Sequence, residues 1–336
     1  MSELRPYAEP LSGVPLDQFP QSPLLPKGCQ ILEGLADDDL YQVEFREMTY
    51  VTRTLEDGSA CPRSLYVLIP SSKDPIKASY GKDGYPCVVF CQGSGWRTQH
   101  IYGHFADHVR LAERGFVVAS VQYRESSLAP FPAQMQDFKT AVRFLRAHAD
   151  ELHIDPARMA AWGDSSGAHT VLMASFTAEG PATISVEGET IALDTPIYAD
   201  QMASVSCVVD WYGPTALDQM NCIPSAQDHN RPESPEGAVL GQRVVREHPE
   251  WSAAASPLSY VVPASERTMP PTLIMHGGRD QIVNFEQSVL LYEALRSAGQ
   301  EVEFYKLPDA HHGSGGFRCA AALDMVEAFL RKHLVP

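Results

Sequence analysis

The chain has 336 residues, of which 44% are hydrophobic and 20% are charged, and its formal net charge at pH 7 is −16. These values are ordinary for a soluble globular protein, and the acidic balance argues against binding to nucleic acid or an anionic membrane surface. No apolar run approaches the roughly 18 residues that a membrane-spanning helix needs.

The first residues and the cysteines bear on the cellular compartment. Residues 1–6 lack a basic stretch followed by an apolar core, so no secretory signal is expected there. The seven cysteines are scattered, and no C-x-x-C pair occurs. This usage favours reduced thiols over a disulfide framework or a zinc site, so we expect a cytoplasmic protein without a bound metal.

Residues 1 to about 41 contain six prolines and no periodicity. This stretch predicts an irregular arm, flexible or draped over a domain that spans 42–336. Within that domain, polar and apolar residues alternate from 41 to 54, which predicts an antiparallel strand. Residues 64–69 are its predicted partner, across a turn at 56–58.

From residue 87 onward, strand-length segments alternate with helices. The predicted buried strands lie at 87–91, 116–121, 158–162, 205–211, 271–275 and 301–307. The predicted helices between and after them lie at 105–114, 134–148, 285–298 and 320–334. This alternation predicts an α/β fold with a mostly parallel central sheet and helices on both faces.

Residues 214–262 interrupt the alternation. They contain prolines, polar residues and a weak helix pattern near 236–247. We interpret this segment as an insertion that caps the C-terminal edge of the sheet, where α/β sheets bind their ligands. A long surface excursion without a role is the alternative.

A G-x-S-x-G pattern, G-D-S-S-G, runs from Gly163 to Gly167. The predicted strand at 158–162 precedes it, and a helix start rich in small residues follows it. A strand, a tight turn and a helix form the context that a nucleophile elbow requires. Ser165 is therefore the candidate nucleophile.

A serine hydroxyl needs a general base, and the base needs an orienting acid. Asp280 follows the predicted strand 271–275, and His311 and His312 follow the predicted strand 301–307. The chain order Ser, Asp, His is the one expected of the α/β-hydrolase arrangement. Asp309 is a competing acid, and the two adjacent histidines are both candidate bases.

The negative oxygen of a tetrahedral intermediate needs hydrogen-bond donors, usually two backbone N–H groups. One is expected from Ser166, directly after the nucleophile. Gly93 and Ser94, in the small-residue loop after the strand 87–91, are the other expected donors. A plain glycine-rich turn is the alternative interpretation of that loop.

From about 85 to 334, the sequence resembles the α/β-hydrolase serine esterases, in the branch of bacterial acetyl esterases, feruloyl and acetylxylan esterase-like proteins and hormone-sensitive-lipase-like carboxylesterases. The motifs that carry the resemblance are the elbow, Tyr123-Arg124, Phe131-Pro132-Ala133, Asp137, Asp155-Pro156-Ala157-Arg158, Trp211-Tyr212-Gly213-Pro214, His276-Gly277, Asp280 and His312-Gly313.

The resemblance implies the α/β-hydrolase fold, a triad of Ser165, Asp280 and His312, and no cofactor or metal. Tyr123-Arg124 and Asp137 are interpreted as packing and ion-pairing residues. The oxyanion loop departs from the usual His-Gly-Gly-Gly-Trp, because Gln92 replaces the histidine and Ser94 replaces a glycine. Backbone N–H groups survive both changes.

The leading hypothesis is a serine carboxylic-ester hydrolase acting on short-chain acyl esters of small molecules, including acylated sugars or small aromatic esters. Trp96, Trp211 and Tyr212 are expected to border Ser165 and limit the acyl chain to about four carbons. An amidase such as an arylformamidase, and a non-catalytic binding protein of the same fold, are the alternatives. The sequence leaves a homo-oligomeric state open.

Overall fold

The computed structural model describes residues 14, 15, 18, 20, 22–24, 26–30, 40–72 and 83–335. The chain divides into two compact units, Met1–Asp38 and Asp39–Pro336. The predicted arm over 1–41 lies largely outside the described residues, so its character stays a prediction. Every structural feature below belongs to the second unit.

An eight-stranded sheet forms the centre of this unit. Its strands are β1 (Gln42–Thr54), β2 (Ala60–Ser71), β3 (Tyr85–Cys91), β4 (Val117–Val121), β5 (Ile154–Asp164), β8 (Cys207–Trp211), β9 (Thr272–Gly277) and β10 (Val302–Leu307). Their order across the sheet is β1-β2-β4-β3-β5-β8-β9-β10. In this sheet the pairs β1–β2 and β2–β4 are antiparallel, and the other five pairs are parallel. The predicted mostly parallel sheet is therefore confirmed.

Two short strands, β6 (Thr183–Val186) and β7 (Glu189–Ala192), form a separate hairpin that the sequence analysis did not predict. The α-helices are α1 (Phe105–Ala112), α2 (Ala133–Ala147), α3 (Ser166–Phe176), α4 (Pro235–Val239), α5 (Pro249–Ala254), α6 (Glu286–Ser297) and α7 (Ala320–Leu334). Within the described ranges, none of these helices combines the length and apolarity needed to cross a membrane.

The insertion contains less helix than its pattern predicts. Instead of one helix over 236–247, the chain forms the short α4 and a single 3-10 turn at Val245–Glu247. The hydroxyl of Ser234 caps the start of α4 by accepting from the Gly237 N–H. The helix ends within two turns because Gly241 and Gln242 both have positive φ, at 77° and 64°.

Apolar residues on both faces of the sheet explain the continuous apolar runs. Along β3, Val89 belongs to the apolar cluster on one face, and Phe90 belongs to the cluster on the other. All seven residues of β3 are buried. Strands covered on both faces lose their hydrophobic alternation, and the loops at their carboxyl ends remain to carry polar groups.

A buried carboxylate ties the antiparallel strand β1 to the helical layer. Asp137 on α2 is fully buried, and each of its oxygens lies 2.9 Å from an arginine Nε, one from Arg53 and the other from Arg124. Arg124 also donates to this carboxylate through its backbone N–H. The predicted structural ion pairing of Arg124 with Asp137 is therefore confirmed.

Candidate active site

The turn between β5 and α3 holds Ser165 in a strained conformation. Its φ is 51° and its ψ is −127°, a region that non-glycine residues rarely occupy. The strand and helix can approach so closely because residue 163 is glycine, since a Cβ there would lie 2.6 Å from the backbone nitrogen of Ala168. The Ser165 side chain therefore projects from a tight turn into a cavity at the carboxyl end of the sheet.

Two further side chains complete a hydrogen-bonded series with this serine. Nε2 of His312 lies 2.9 Å from Oγ of Ser165. Nδ1 of the same ring lies 2.7 Å from Oδ2 of Asp280. Asp280 follows β9 and His312 follows β10, which are neighbouring parallel strands, so their loops meet at one edge. The three groups thus stand in the order that a nucleophile, a base and an orienting acid take in acyl transfer.

The loop after β9 holds the Asp280 carboxylate ready to accept. Its side chain is fully buried, and Oδ1 accepts from the backbone N–H groups of Ile282 and Val283 at 2.9 and 3.0 Å. Burial alone would raise the pKa of Asp280, but hydrogen bonds from His276 and His312 lower it to about 2. Asp280 is therefore a carboxylate at neutral pH. His276, 3.3 Å from Oδ2, received no role in the sequence analysis.

The competing candidates point elsewhere. Nδ1 of His311 lies 3.1 Å from the carbonyl oxygen of Arg279, and His311 is exposed. Asp309 forms an exposed ion pair with Arg279 at 2.9 Å. Neither group belongs to the hydrogen-bonded series of Ser165, so the geometry favours His312 and Asp280 over their neighbours.

The three expected oxyanion donors differ in their surroundings. Ser166 is the first residue of α3, so its N–H has no acceptor within the helix. The Ser94 N–H donates to Oγ of Ser166 at 2.9 Å. The Gly93 N–H donates to Oδ1 of Asp164 at 2.8 Å. The prediction for Gly93 is therefore wrong, because a buried carboxylate already occupies its N–H.

Gly95 is a candidate donor that the sequence analysis did not name. Its N–H donates to no group within the described part of the chain. It follows Ser94 in the same loop and lines the same cavity. The positions of the glycines after the strand do not indicate which N–H groups are free, because the Gly93 N–H donates to Asp164.

Asp164, the residue before the nucleophile, belongs to a second buried ion pair. Its Oδ2 lies 3.5 Å from Nε2 of His104 and 3.3 Å from the Tyr212 hydroxyl, which donates to it. Burial alone would lower the pKa of His104, but the carboxylates of Asp107 and Asp164 raise it to about 9. Burial alone would raise the pKa of Asp164. The hydrogen bonds and charge of His104 and the hydrogen bond from the Gly93 N–H outweigh burial, so this pKa is lowered.

The cavity has a volume of about 690 Å³ and contains both Ser165 and His312 in its wall. Two of the three predicted pocket residues line it. Trp96 is 1% exposed, and its Nε1 donates to Nδ1 of His169 at 3.1 Å. The Tyr212 ring packs edge-on against His312, with 4.8 Å between ring centroids.

The prediction for Trp211 is wrong. Its side chain is fully buried and packs against Trp162 and Phe317 in the apolar core, away from the cavity. Trp211 is the last residue of β8, and Tyr212 follows the strand with a positive φ of 47°. Both rings contact Phe317 in the same apolar cluster, but of the two it is Tyr212 that lines the cavity.

Part of the insertion borders the same cavity as Ser165. The residues that it contributes are Pro214, Gln227, His229, Pro235 and Glu236. Most of the side chains in this part of the wall are polar. The rest of the wall comes mainly from the loops that follow the strands of the sheet, called the strand loops below. Sequence patterns gave no indication of which of these side chains face the nucleophile, because the segment has no periodicity.

Comparison with known proteins relates this site to esterases. The BD-FAE family model matches residues 75–295. Esterase LipC of Mycobacterium tuberculosis is 31% identical over 231 residues, which cover 68% of this chain and 53% of LipC. Esterase LipQ of the same organism is 30% identical over 206 residues, covering 60% of this chain and 44% of LipQ. The chain thus spans about half the length of these curated relatives.

Solved structures give the same fold. A truncated form of a carbohydrate esterase from gut microbiota superposes with a TM-score of 0.74 and 27% identity, covering 90% of this chain and all of that chain. The propionate-bound esterase Est2 of Thermogutta terrifontis has a TM-score of 0.61 and 23% identity, covering 90% of this chain and 98% of Est2. The predicted α/β-hydrolase fold is confirmed.

Proposed function

Because the chain belongs to the BD-FAE family, we propose that it is a serine hydrolase of carboxylic esters. The observation that carries this proposal is the hydrogen-bonded series from Ser165 through His312 to Asp280, with distances of 2.9 and 2.7 Å. The strained backbone at Ser165 supports it, because such strain is typical of a nucleophile elbow.

In the first half of the reaction, Oγ of Ser165 attacks the ester carbonyl carbon while Nε2 of His312 takes its proton. Asp280 accepts from Nδ1–H and stabilises the imidazolium that forms. The alcohol leaves with the proton returned by His312, and the acyl group remains on the serine. Water then repeats the sequence, and the carboxylic acid is released.

The negative charge on the carbonyl oxygen develops beside the loop after β3. We propose that the N–H groups of Ser166 and Gly95 donate to it, joined by Ser94 when the oxyanion displaces the Ser166 hydroxyl from the Ser94 N–H. Fixed donors in a site of low polarisability lower the barrier most when charge is developing. The hydrogen bond from Gly93 to Asp164 supports this role by anchoring the start of the loop.

The substrates that we propose are short-chain acyl esters of small molecules, with acylated sugars among them. The likeness to a carbohydrate esterase from gut microbiota supports the sugar ester class. Hydrolysis of amides on the same triad is the second candidate, since the same chemistry cleaves both esters and amides. Comparing p-nitrophenyl acetate with p-nitroacetanilide distinguishes them, and we expect the ester to be the better substrate.

The deciding experiment is turnover of p-nitrophenyl acetate by wild type and Ser165→Ala. We expect kcat to fall on the order of 10⁴- to 10⁶-fold while KM changes little, because the nucleophile acts in the chemical step. Ser127→Ala is the matched control, since Ser127 is exposed and outside the cavity. A Ser165→Ala enzyme that keeps a tenth of wild-type kcat would overturn the assignment.

We also propose a cytoplasmic location. All seven cysteines are unpaired in the structure, and four of them are buried. Unpaired cysteines are the usual state in a reducing compartment.

A further inference from the structure

Two ionisable side chains of the insertion face the cavity although both are nearly fully buried. His229 is 2% exposed and Glu236 is 3% exposed. Nδ1 of His229 lies 2.9 Å from Oε2 of Glu236, but the contact lacks the angles of a regular hydrogen bond. The structure contains no described group that donates to the other oxygen, Oε1. Oε2 is buried without a regular hydrogen bond, and Oε1 is the more accessible of the two oxygens, so a donor from another molecule can reach the carboxylate.

The proton positions on His229 follow from its second nitrogen. Nε2 lies 3.0 Å from the carbonyl oxygen of Ile282, which can only accept, so Nε2 carries a hydrogen. Burial lowers the pKa of His229, but the Glu236 carboxylate and neighbouring groups outweigh burial and raise it. The carboxylate of Glu236 therefore favours the charged form of the His229 ring. Glu236 lies beside this ring in the cavity wall.

The pair is attached to both sides of the candidate catalytic machinery. The bond from His229 to Ile282 reaches the loop whose N–H groups bind Asp280. Pro235, directly before Glu236, lies against the oxyanion loop, since a Cβ on Gly95 would be 3.3 Å from the Pro235 Cβ. Glu236 is thus held in a defined position in the wall of the cavity that Ser165 and His312 also line.

We propose that Glu236, oriented by His229, accepts a hydrogen bond from a hydroxyl group of the substrate's alcohol half, so that esters of polyols and sugars are preferred. This inference rests on the proposed esterase function. An acyl group of two to four carbons carries no hydroxyl, so the donor belongs to the alcohol. A cationic donor is disfavoured, because Arg97 and Arg318 line the same cavity.

A pair of esters that differ only in hydroxyl groups tests the inference. Glyceryl monoacetate and propyl acetate share the acetyl group and a three-carbon alcohol. The readout is the ratio of their kcat/KM values, measured for wild type, Glu236→Gln and Glu236→Leu. Glu233→Gln is the matched control, because Glu233 lies three residues away on the same segment but is exposed and outside the cavity.

We expect Glu236→Leu to lower the ratio by roughly tenfold or more, as the loss of a hydrogen bond to a charged acceptor does. Glu236→Gln should lower it less, because the amide oxygen remains an acceptor without the charge. Glu233→Gln should leave the ratio at its wild-type value. Thermal unfolding of each variant shows whether it folds, and the glutamine variant preserves the shape if the leucine variant does not.

The outcomes separate the two proposals. If both Glu236 variants keep the wild-type ratio, the hydroxyl subsite is wrong while the esterase function stands. If kcat/KM falls equally for both esters, Glu236 supports the Asp280 loop and does not select the alcohol, which also overturns the inference. If wild type hydrolyses neither ester nor p-nitrophenyl acetate, the esterase function fails, and the subsite fails with it.

Discussion

The strand loops that carry Ser165, Asp280 and His312 contrast with the insertion that faces them. The strand loops follow β5, β9 and β10 of the central sheet, and the sheet fixes where each loop begins. The insertion contains two short helices and isolated turns, and hydrogen bonds of side chains hold it in place. Ser225, for example, donates to the carbonyl oxygens of Gln281 and Ile282.

This difference teaches where chemistry and selectivity reside in such a molecule. The positions of the triad groups follow from strand order, which the apolar core determines. The positions of the groups that meet the substrate's alcohol half follow from local polar contacts, which core packing does not determine. We therefore expect changes at the strand loops to abolish turnover and changes in the insertion to alter preference.

The largest effect expected at the strand loops distinguishes two adjacent histidines. His312→Ala should lower kcat on the order of 10⁴- to 10⁶-fold, because it removes the imidazole that is hydrogen-bonded to Ser165 Oγ. His311→Ala should stay near wild type, since Nδ1 of its ring is hydrogen-bonded to the Arg279 carbonyl oxygen and not to the Ser165 series. Steady-state kinetics on p-nitrophenyl acetate checks both. A dead His311→Ala enzyme beside an active His312→Ala enzyme would reverse the assignment.

The next effect concerns the acid. Asp280→Asn should cost roughly 10³- to 10⁴-fold in kcat, because an amide cannot hold His312 in the tautomer that leaves Nε2 free to accept. Asp309→Asn is the matched control, and it should change kcat little because its partner is the exposed Arg279. Kinetics on the same ester provides the measurement. The reverse pattern would move the acid to position 309.

Much of the strand framework could be predicted from the sequence. Continuous apolar runs predicted nearly every strand of the central sheet, and amphipathic periods predicted the helices that pack on it. These patterns are strong because most of the strands are buried on two faces. The chain order of Ser165, Asp280 and His312 could also be read, because each follows a strand. The errors lie where one residue's neighbour decides. Trp211 packs into the core while the next residue, Tyr212, lines the cavity, and the Gly93 N–H donates to Asp164.

The insertion could not be predicted to the same depth. A helix over 236–247 was expected, but Gly241 and Gln242 end it early. His229 and Glu236 are seven residues apart in a polar segment, and nothing in its composition indicates that they meet. The hairpin of β6 and β7 also went unpredicted, since each strand has only four residues and little apolar pattern.

A smaller effect probes the cavity wall that the insertion provides. Among p-nitrophenyl esters from C2 to C12, kcat/KM should be highest at C2 to C4 and fall by about tenfold or more at C8. A methylene buried in an apolar groove gains ~0.8 kcal/mol, which would make kcat/KM rise with chain length. Here Glu236, His229 and Gln227 line the wall, and Trp96 and Tyr212 occupy space near Ser165. A maximum at C8 or longer in detergent-free buffer would contradict this prediction.

The smallest effect returns to the strand loops and shows that they also depend on polar contacts. His104 lies at the start of α1 and pairs with Asp164, the residue before the nucleophile, and with Asp107. The pKa of His104 is raised from its ordinary 6.5 to about 9. A folded-state pKa above the unfolded one stabilises the fold fully below about pH 6.5, and this contribution is lost as pH rises through about 9.

His104→Gln removes that contribution while keeping a polar side chain at the same place. At pH 6 its Tm should lie several degrees below wild type, and the difference should narrow steadily until about pH 9.5. His100→Gln is the control, because His100 is exposed four residues earlier, and its Tm difference from wild type should stay constant. Thermal unfolding at pH 6, 7, 8 and 9.5 gives the comparison. A His104→Gln difference that is the same at every pH would mean that the ring stabilises the nucleophile turn by packing, and that its charge does not contribute.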